Sequence, residues 1–284
     1  MKNKYFTSIC LIFVYFFILN ENSYPSSWIR QKNELYIVSE VLSESDRNKT
    51  IFTNDSNSNY FKTNSYKLYV EYGLFNKITI GGYLKDYNFY SQYLDNYNNL
   101  KKRKVKDDLY SNLFLIQNFY NKNKVLFSLQ YGYYFPINYN NESKNINNID
   151  TQSSYEIKLL FGTDKSSYIF NNKVNYYFDL GSGYKAIDNT NYNELKSNFT
   201  FGFRINSSST LSFEYEKKYY TKNNFIFNGS NIFNEYYKNN NSDKIQFSFD
   251  CKFIDSLSTK LSFYRNFSES NSNGIIFSFI FDYF

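Results

Sequence analysis

Lys244-Ile-Gln-Phe-Ser-Phe-Asp-Cys-Lys-Phe253 alternates polar and apolar residues without a break. In an extended chain Ile245, Phe247, Phe249, Cys251 and Phe253 fall on one side, and Lys244, Gln246, Ser248, Asp250 and Lys252 on the other. Period two is the pattern of a half-buried β-strand, and a one-residue slip would exchange its two faces. The same alternation runs from Glu194 to Ile205, where Leu195, Phe199, Phe201, Phe203 and Ile205 oppose Lys196, Asn198, Thr200, Gly202 and Arg204. Tyr66–Tyr72, Val125–Tyr133 and Leu211–Glu216 repeat it. Looser versions occupy 34–42, 78–86, 108–120, 154–162, 174–185, 256–265 and 274–284, which brings the expected strands to about twelve. Beyond the N-terminal apolar stretch, no segment holds an apolar stripe at helical spacing.

The connections between these strands alternate in length. Long ones (43–59, 87–107, 135–153, 219–243) are separated by short ones (73–77, 121–124, 206–209, 254–255), with 163–173, 186–193 and 266–273 in between. The long segments are rich in Asn, Ser, Lys and Tyr, a composition that belongs in water. An even number of antiparallel strands with long loops at one end and tight turns at the other is the plan of a barrel that crosses an outer membrane. A soluble β-sandwich also alternates apolar and polar residues, but nothing requires its loops to alternate in length. The expected fold is therefore all-β: an antiparallel up-and-down transmembrane barrel of about twelve strands (ten to fourteen).

Composition agrees. Among 284 residues, Tyr contributes 32 and Phe 31, as the aromatic girdles of such a barrel require. A mean hydropathy of −0.59 excludes a bundle of membrane helices. At the N-terminus, Lys2 and Lys4 precede an apolar run, Ile9 to Leu19, too short to cross a bilayer as a helix. That layout predicts a secretory signal peptide over 1–23, cut near Ser23, followed by a barrel domain over 24–284. An uncleaved anchor or a buried strand is the alternative. Cys10 lies inside the apolar run, away from where a lipid-modified cysteine would stand, which leaves Cys251 as the one mature cysteine.

The chain carries 32 basic and 26 acidic residues, a mild positive excess spread along its length, so nucleic acid is not an expected partner. The one dense run, Lys101-Lys-Arg-Lys-Val-Lys106, reads either as a solvated loop or as a surface for lipopolysaccharide phosphates. With no His, the commonest general base and metal ligand are missing. Glu214 and Glu216 share one face of a strand at roughly 7 Å, a spacing usable for glycoside chemistry. Carboxylates on a barrel wall are more often held by Lys or Arg, so neither is expected to be catalytic. Asp150, Asp188 and Asp243 lack metal-ligand spacing, and Gly181-Ser-Gly183 precedes no helix that would cradle a phosphate. No enzyme, cofactor or metal site is expected.

The chain closes on Gly274-Ile-Ile-Phe-Ser-Phe-Ile-Phe-Asp-Tyr-Phe284. Here it resembles the bacterial outer-membrane β-barrel proteins of Gram-negative bacteria, whose last strand ends in an aromatic residue. The resemblance implies that Phe284 is the assembly signal, read by the barrel-assembly machinery after escort by periplasmic chaperones. It further implies placement in the outer membrane, among its lipid and lipopolysaccharide. Phe284 shares phase with Asp282 and Ser278, a departure from the family pattern that a bulge or an outward Tyr283 would reconcile. Glu71-Tyr-Gly-Leu-Phe-Asn-Lys-Ile-Thr-Ile-Gly-Gly82 also looks like a hairpin found in small members of that superfamily.

Two functions follow from such a barrel. Its polar faces would line a lumen with Lys67, Glu71, Glu156, Lys158, Asp179, Lys196, Arg204, Glu214, Glu216, Lys244, Asp250, Lys252 and Lys260. Near-balanced charge of that kind suits a passive pore for small polar solutes, with little ion selectivity. Alternatively those charges pair across a closed lumen, and the long loops contact a partner, as in an adhesin-like surface barrel. A secreted soluble β-protein is the third reading.

Overall fold

The computed structural model describes residues 29–47, 60–94, 100–138, 153–169, 172–188, 192–222, 241–267 and 272–283. The expected signal peptide and Phe284 lie outside these residues. Twelve strands follow in chain order: β1 (Leu35–Arg47), β2 (Tyr60–Phe75), β3 (Ile78–Leu94), β4 (Leu100–Lys122), β5 (Val125–Asn138), β6 (Ser154–Ile169), β7 (Asn172–Ile187), β8 (Tyr192–Arg204), β9 (Ser209–Lys222), β10 (Ser242–Ile254), β11 (Leu257–Phe267) and β12 (Ser272–Tyr283). Each is antiparallel to its sequence neighbours, and β1 pairs with β12 from Leu35↔Tyr283 to Ser45↔Asn273, closing the barrel. No helix occurs among the described residues.

The two rims differ more sharply than the sequence suggests. At one rim, β2–β3, β4–β5 and β10–β11 turn on residues 76–77, 123–124 and 255–256, and β8–β9 on 205–208, while the β6 and β7 ends stand two residues apart in sequence. At the other, connections include 48–59, 139–153 and 223–241. Within the expected middling loop at 163–173, residues 163–169 instead continue β6 and 172–173 begin β7, and the two strands stay paired as far as Ile169↔Asn172. Likewise the basic run Lys101–Lys106 is not a loop: it belongs to β4 and pairs with β3, from Tyr93↔Lys101 to Phe89↔Val105. Two causes hid it. A bulge between Tyr87 and Phe89 shifts the phase there, and strand rising clear of a bilayer has no need of an apolar face. In the β4–β5 turn, Asn123 (φ 53°) and Lys124 (φ 62°) are both left-handed, as a two-residue type I′ hairpin demands.

Every strand presents large apolar side chains outward. On β10, Phe247 is 60% exposed while Gln246 beside it is 5% exposed. Phe127, Phe161, Phe178, Phe199, Phe213 and Phe247, one from each of β5 to β10, touch in series with ring centroids 4.9 to 6.3 Å apart. So large an apolar surface cannot face water in a soluble monomer, and the secreted soluble reading falls. In hydrocarbon the same surface is the required one, since a closed barrel leaves no strand edge unpaired.

The inner wall has its own fitting rule. Tyr177 sits opposite Gly202, Tyr264 opposite Gly274, and Phe114 opposite Gly81. A Cβ at any of these three glycines would collide with the ring facing it. Glycine there lets an aromatic ring lie flat against the neighbouring strand, and so keeps bulk out of the centre.

Candidate functional site

The interior is divided. Against β4 and β6, buried Phe114, Ile116 and Leu160 form an apolar cluster, on which Ile29 and Tyr69 pack. Ile29 precedes β1, so the chain enters the barrel at the short-turn rim before joining its wall. Arg30 follows, 4% exposed. Its backbone N–H donates to Thr79 Oγ1 (2.8 Å) and its Nε to Glu71 Oε2 (2.7 Å). The guanidinium also lies 3.5 Å from Glu34 and 3.8 Å from the Tyr36 ring centroid. Burial works against this charge, and Glu71 more than restores it, holding the pKa above the ordinary guanidinium range. The segment is latched by Asn33 N–H to the Gly73 carbonyl (2.8 Å) and Gly73 N–H to the Glu34 carbonyl (2.9 Å). A side chain at Gly73 would strike the Gln31 carbonyl, so the close approach needs glycine.

Beside the apolar cluster lies a polar cavity of about 390 Å³, bordered by β1, β2 and β6 to β12. Of the thirteen charged residues expected inside, eleven border it: Lys67, Glu71, Lys158, Asp179, Lys196, Glu214, Glu216, Lys244, Asp250, Lys252 and Lys260. The other two do not. Glu156 is buried on β6 and accepts a hydrogen bond from the Tyr134 hydroxyl (2.6 Å). Arg204 pairs with Asp164 (3.1 Å). The cavity also takes in Arg30, Tyr36, Glu40, Tyr69, Asp255 and Asp282, which the sequence reading had not selected. Glu40 and Asp282 could have been found, since each stands in phase with a polar position of its own strand. Arg30 could not, because no period governs the residues before β1.

Pairing of these charges follows a rule. Lys67 meets Glu40 (2.9 Å) on the adjacent strand, as Lys196 meets Glu216 (2.7 Å). Lys260 reaches Glu214 (2.8 Å) past β10, and Arg204 reaches Asp164 past β7. Each of these bridges runs along the wall, spanning one or two strand intervals; none of the four crosses the lumen. Glu214 and Glu216, the carboxylate pair whose spacing would suit glycoside chemistry, are each held by a lysine ammonium. Among the described residues no cluster of His, Cys, Asp or Glu could hold a metal ion.

No protein-family model matches this chain, and no curated protein matches it in sequence. Its fold does have counterparts. It is similar to an outer membrane channel from Pseudomonas putida F1, at 9% identity and a TM-score of 0.59, over 93% of this chain and 100% of that one. It is similar to the transport unit of the autotransporter AIDA-I from Escherichia coli (11% identity, TM-score 0.52, 90% and 91% covered). The KdgM porin is a third (6% identity, TM-score 0.52, 87% and 99% covered). Identities this low speak for fold alone. A closed twelve-strand barrel with an apolar outside and a charged inside is the architecture of bacterial outer-membrane β-barrels, and this chain has it.

Proposed function

We propose that this barrel is a passive pore of the outer membrane for small polar solutes. One observation carries the reading: the cavity is polar, and the three bridges that border it, Lys67–Glu40, Lys196–Glu216 and Lys260–Glu214, run along its wall and not across it. Seven cationic and eight carboxylate side chains border it, a near balance that favours little discrimination between simple cations and anions. A twelve-strand barrel stands between small filled barrels and wide porins, so passage is limited to small molecules. The fold counterparts described as a channel, a porin and a transport unit support the same reading. The proposal includes no catalysis: the carboxylates of interest are committed to lysines. It includes lipopolysaccharide as a neighbour, met by the Lys101–Lys106 stretch of β4 at the long-loop rim, and delivery by periplasmic chaperones and the assembly machinery.

A closed structural barrel is the second reading, favoured by the seating of residues 29–34 inside the short-turn rim. Planar-bilayer recording of the purified full chain separates the two. A stable unitary conductance, with a small reversal potential in a KCl gradient, is expected; a protein that folds and inserts but passes no current would sink the pore reading.

A further inference from the structure

The near balance of charge is a sum, and its distribution is uneven. Register places Lys158 on β6 opposite Gly183, Gly183 opposite Lys196 on β8, and Lys196 opposite Lys218 on β9. Three lysines thus share one rung of the inner wall, with Lys158 and Lys196 about 10 Å apart across β7 at ordinary strand spacing. Lys244 on β10 lies one rung away, opposite Glu216. Glu216 is the carboxylate that bonds among them, reaching Lys196 at 2.7 Å and Lys218 at 3.5 Å. Among the described residues Lys158 makes no ion pair, and the Lys244 ammonium lies over the Tyr264 ring, 4.4 Å from its centroid. Of the other carboxylates on the β6–β8 wall, Glu156 accepts from the Tyr134 hydroxyl and Glu194 from that of Tyr220 (3.0 Å). Asp179 lies two residues along β7 from Gly181.

Like charges directly opposite on neighbouring strands oppose pairing, so such a rung is not a device for holding the wall together. Its floor is shaped as well. Gly181 and Gly183 leave β7 bare, and the Lys158 stem lies over them: a Cβ at Gly181 would approach its Cε to 2.6 Å. Beside it, Asn198 Oδ1 is buried with no hydrogen-bond partner among the described residues, an acceptor open to a donor.

We propose that Lys158, Lys196, Lys218 and Lys244 form a binding site for a compact, hydroxyl-bearing solute that carries two or more carboxylate or phosphate groups. Simple ions feel the nearly balanced sum of the lining, whereas a polyanion of the right span meets several ammonium groups at once, and its hydroxyl can donate to Asn198. Arrival of the solute rests on the pore reading; affinity does not.

Citrate is the probe, with sucrose as the uncharged comparison. It is titrated calorimetrically into detergent-purified full-length protein and, separately, added to single channels in a planar bilayer. Lys158→Met and Lys244→Met keep side-chain length and break no ion pair, and exposed Lys165→Met on the same strand is the control. Citrate should bind with heat and reduce the unitary current, sucrose should do neither, and each of the two variants should weaken citrate about tenfold, the worth of one charge-assisted hydrogen bond. Heat without any conductance would support the site while removing the pore. Conductance with neither heat nor block by citrate, or citrate binding equally strong in both variants, would overturn the site while leaving the pore intact.

Discussion

Tyr177 and Gly202 show how much of this molecule is settled by single residues facing one another. The ring occupies the space a side chain at Gly202 would need, and flattening the ring against β8 keeps it out of the cavity it borders. Gly202→Val should therefore act as overpacking does, costing about 1–3 kcal/mol. The midpoint of urea unfolding in liposomes should fall, and adding Tyr177→Ala should recover part of the loss by removing the clashing ring. If the single variant unfolds like the parent, the ring and the glycine are not locked. In the sequence Gly202 could be assigned to the polar face, because Phe201 and Phe203 flank it. Its reason for being glycine could not be read there, since the partner ring lies 25 positions earlier and meets it only through the β7–β8 register.

Strands were legible in proportion to how wet their inner faces are. β8 and β10 read cleanly because their inward residues are polar: Lys196, Asn198 and Thr200 on one, Lys244, Gln246 and Asp250 on the other, all bordering the cavity. The looser stretches 34–42, 108–120, 154–162 and 274–284 contain Val38, Phe114, Ile116, Leu160 and Ile280, apolar residues that are buried inside the barrel. Apolar residues on both faces erase a period of two. Where the face is plain, the energetic demand is plain too. Arginine in place of Phe247 puts a charge into the phenylalanine series on the lipid side, and at mid-bilayer depth this costs about 2–4 kcal/mol. Gln246→Arg, one residue away, adds its charge to a lining that already contains Glu214. Folding yields into lipid vesicles should drop steeply for Phe247→Arg and only slightly for Gln246→Arg; equal losses would mean that the faces are assigned wrongly.

At the scale of the whole molecule, the sequence disclosed the barrel and its twelve strands but not the division of its interior. That division depends on contacts between distant positions, Arg30 with Glu71 and with Thr79, made by a segment with no periodicity. Arg30 is also where a pore would be regulated or restricted. Arg30→Ala frees the segment from the wall and leaves Glu71 buried without its partner, a loss of about 3–5 kcal/mol. Single channels of the variant should show a larger, noisier current, and its unfolding midpoint should fall. Arg30→Ala with Glu71→Ala should keep the larger current and regain part of the midpoint, because the Glu71 charge is gone and only Glu34 still lacks the guanidinium. A current identical to the parent's would show that the segment does not narrow the path.

The seam between β1 and β12 joins residues nearly 250 positions apart in the chain. Until β12 has been synthesised, β1 has no partner on that side, and every shorter nascent product carries two raw strand edges together with its outward phenylalanines. Such an intermediate is ready to pair with any other exposed strand it meets. Timing is thus written into the topology: the cylinder can be finished only in one late event, when the last strand meets the first.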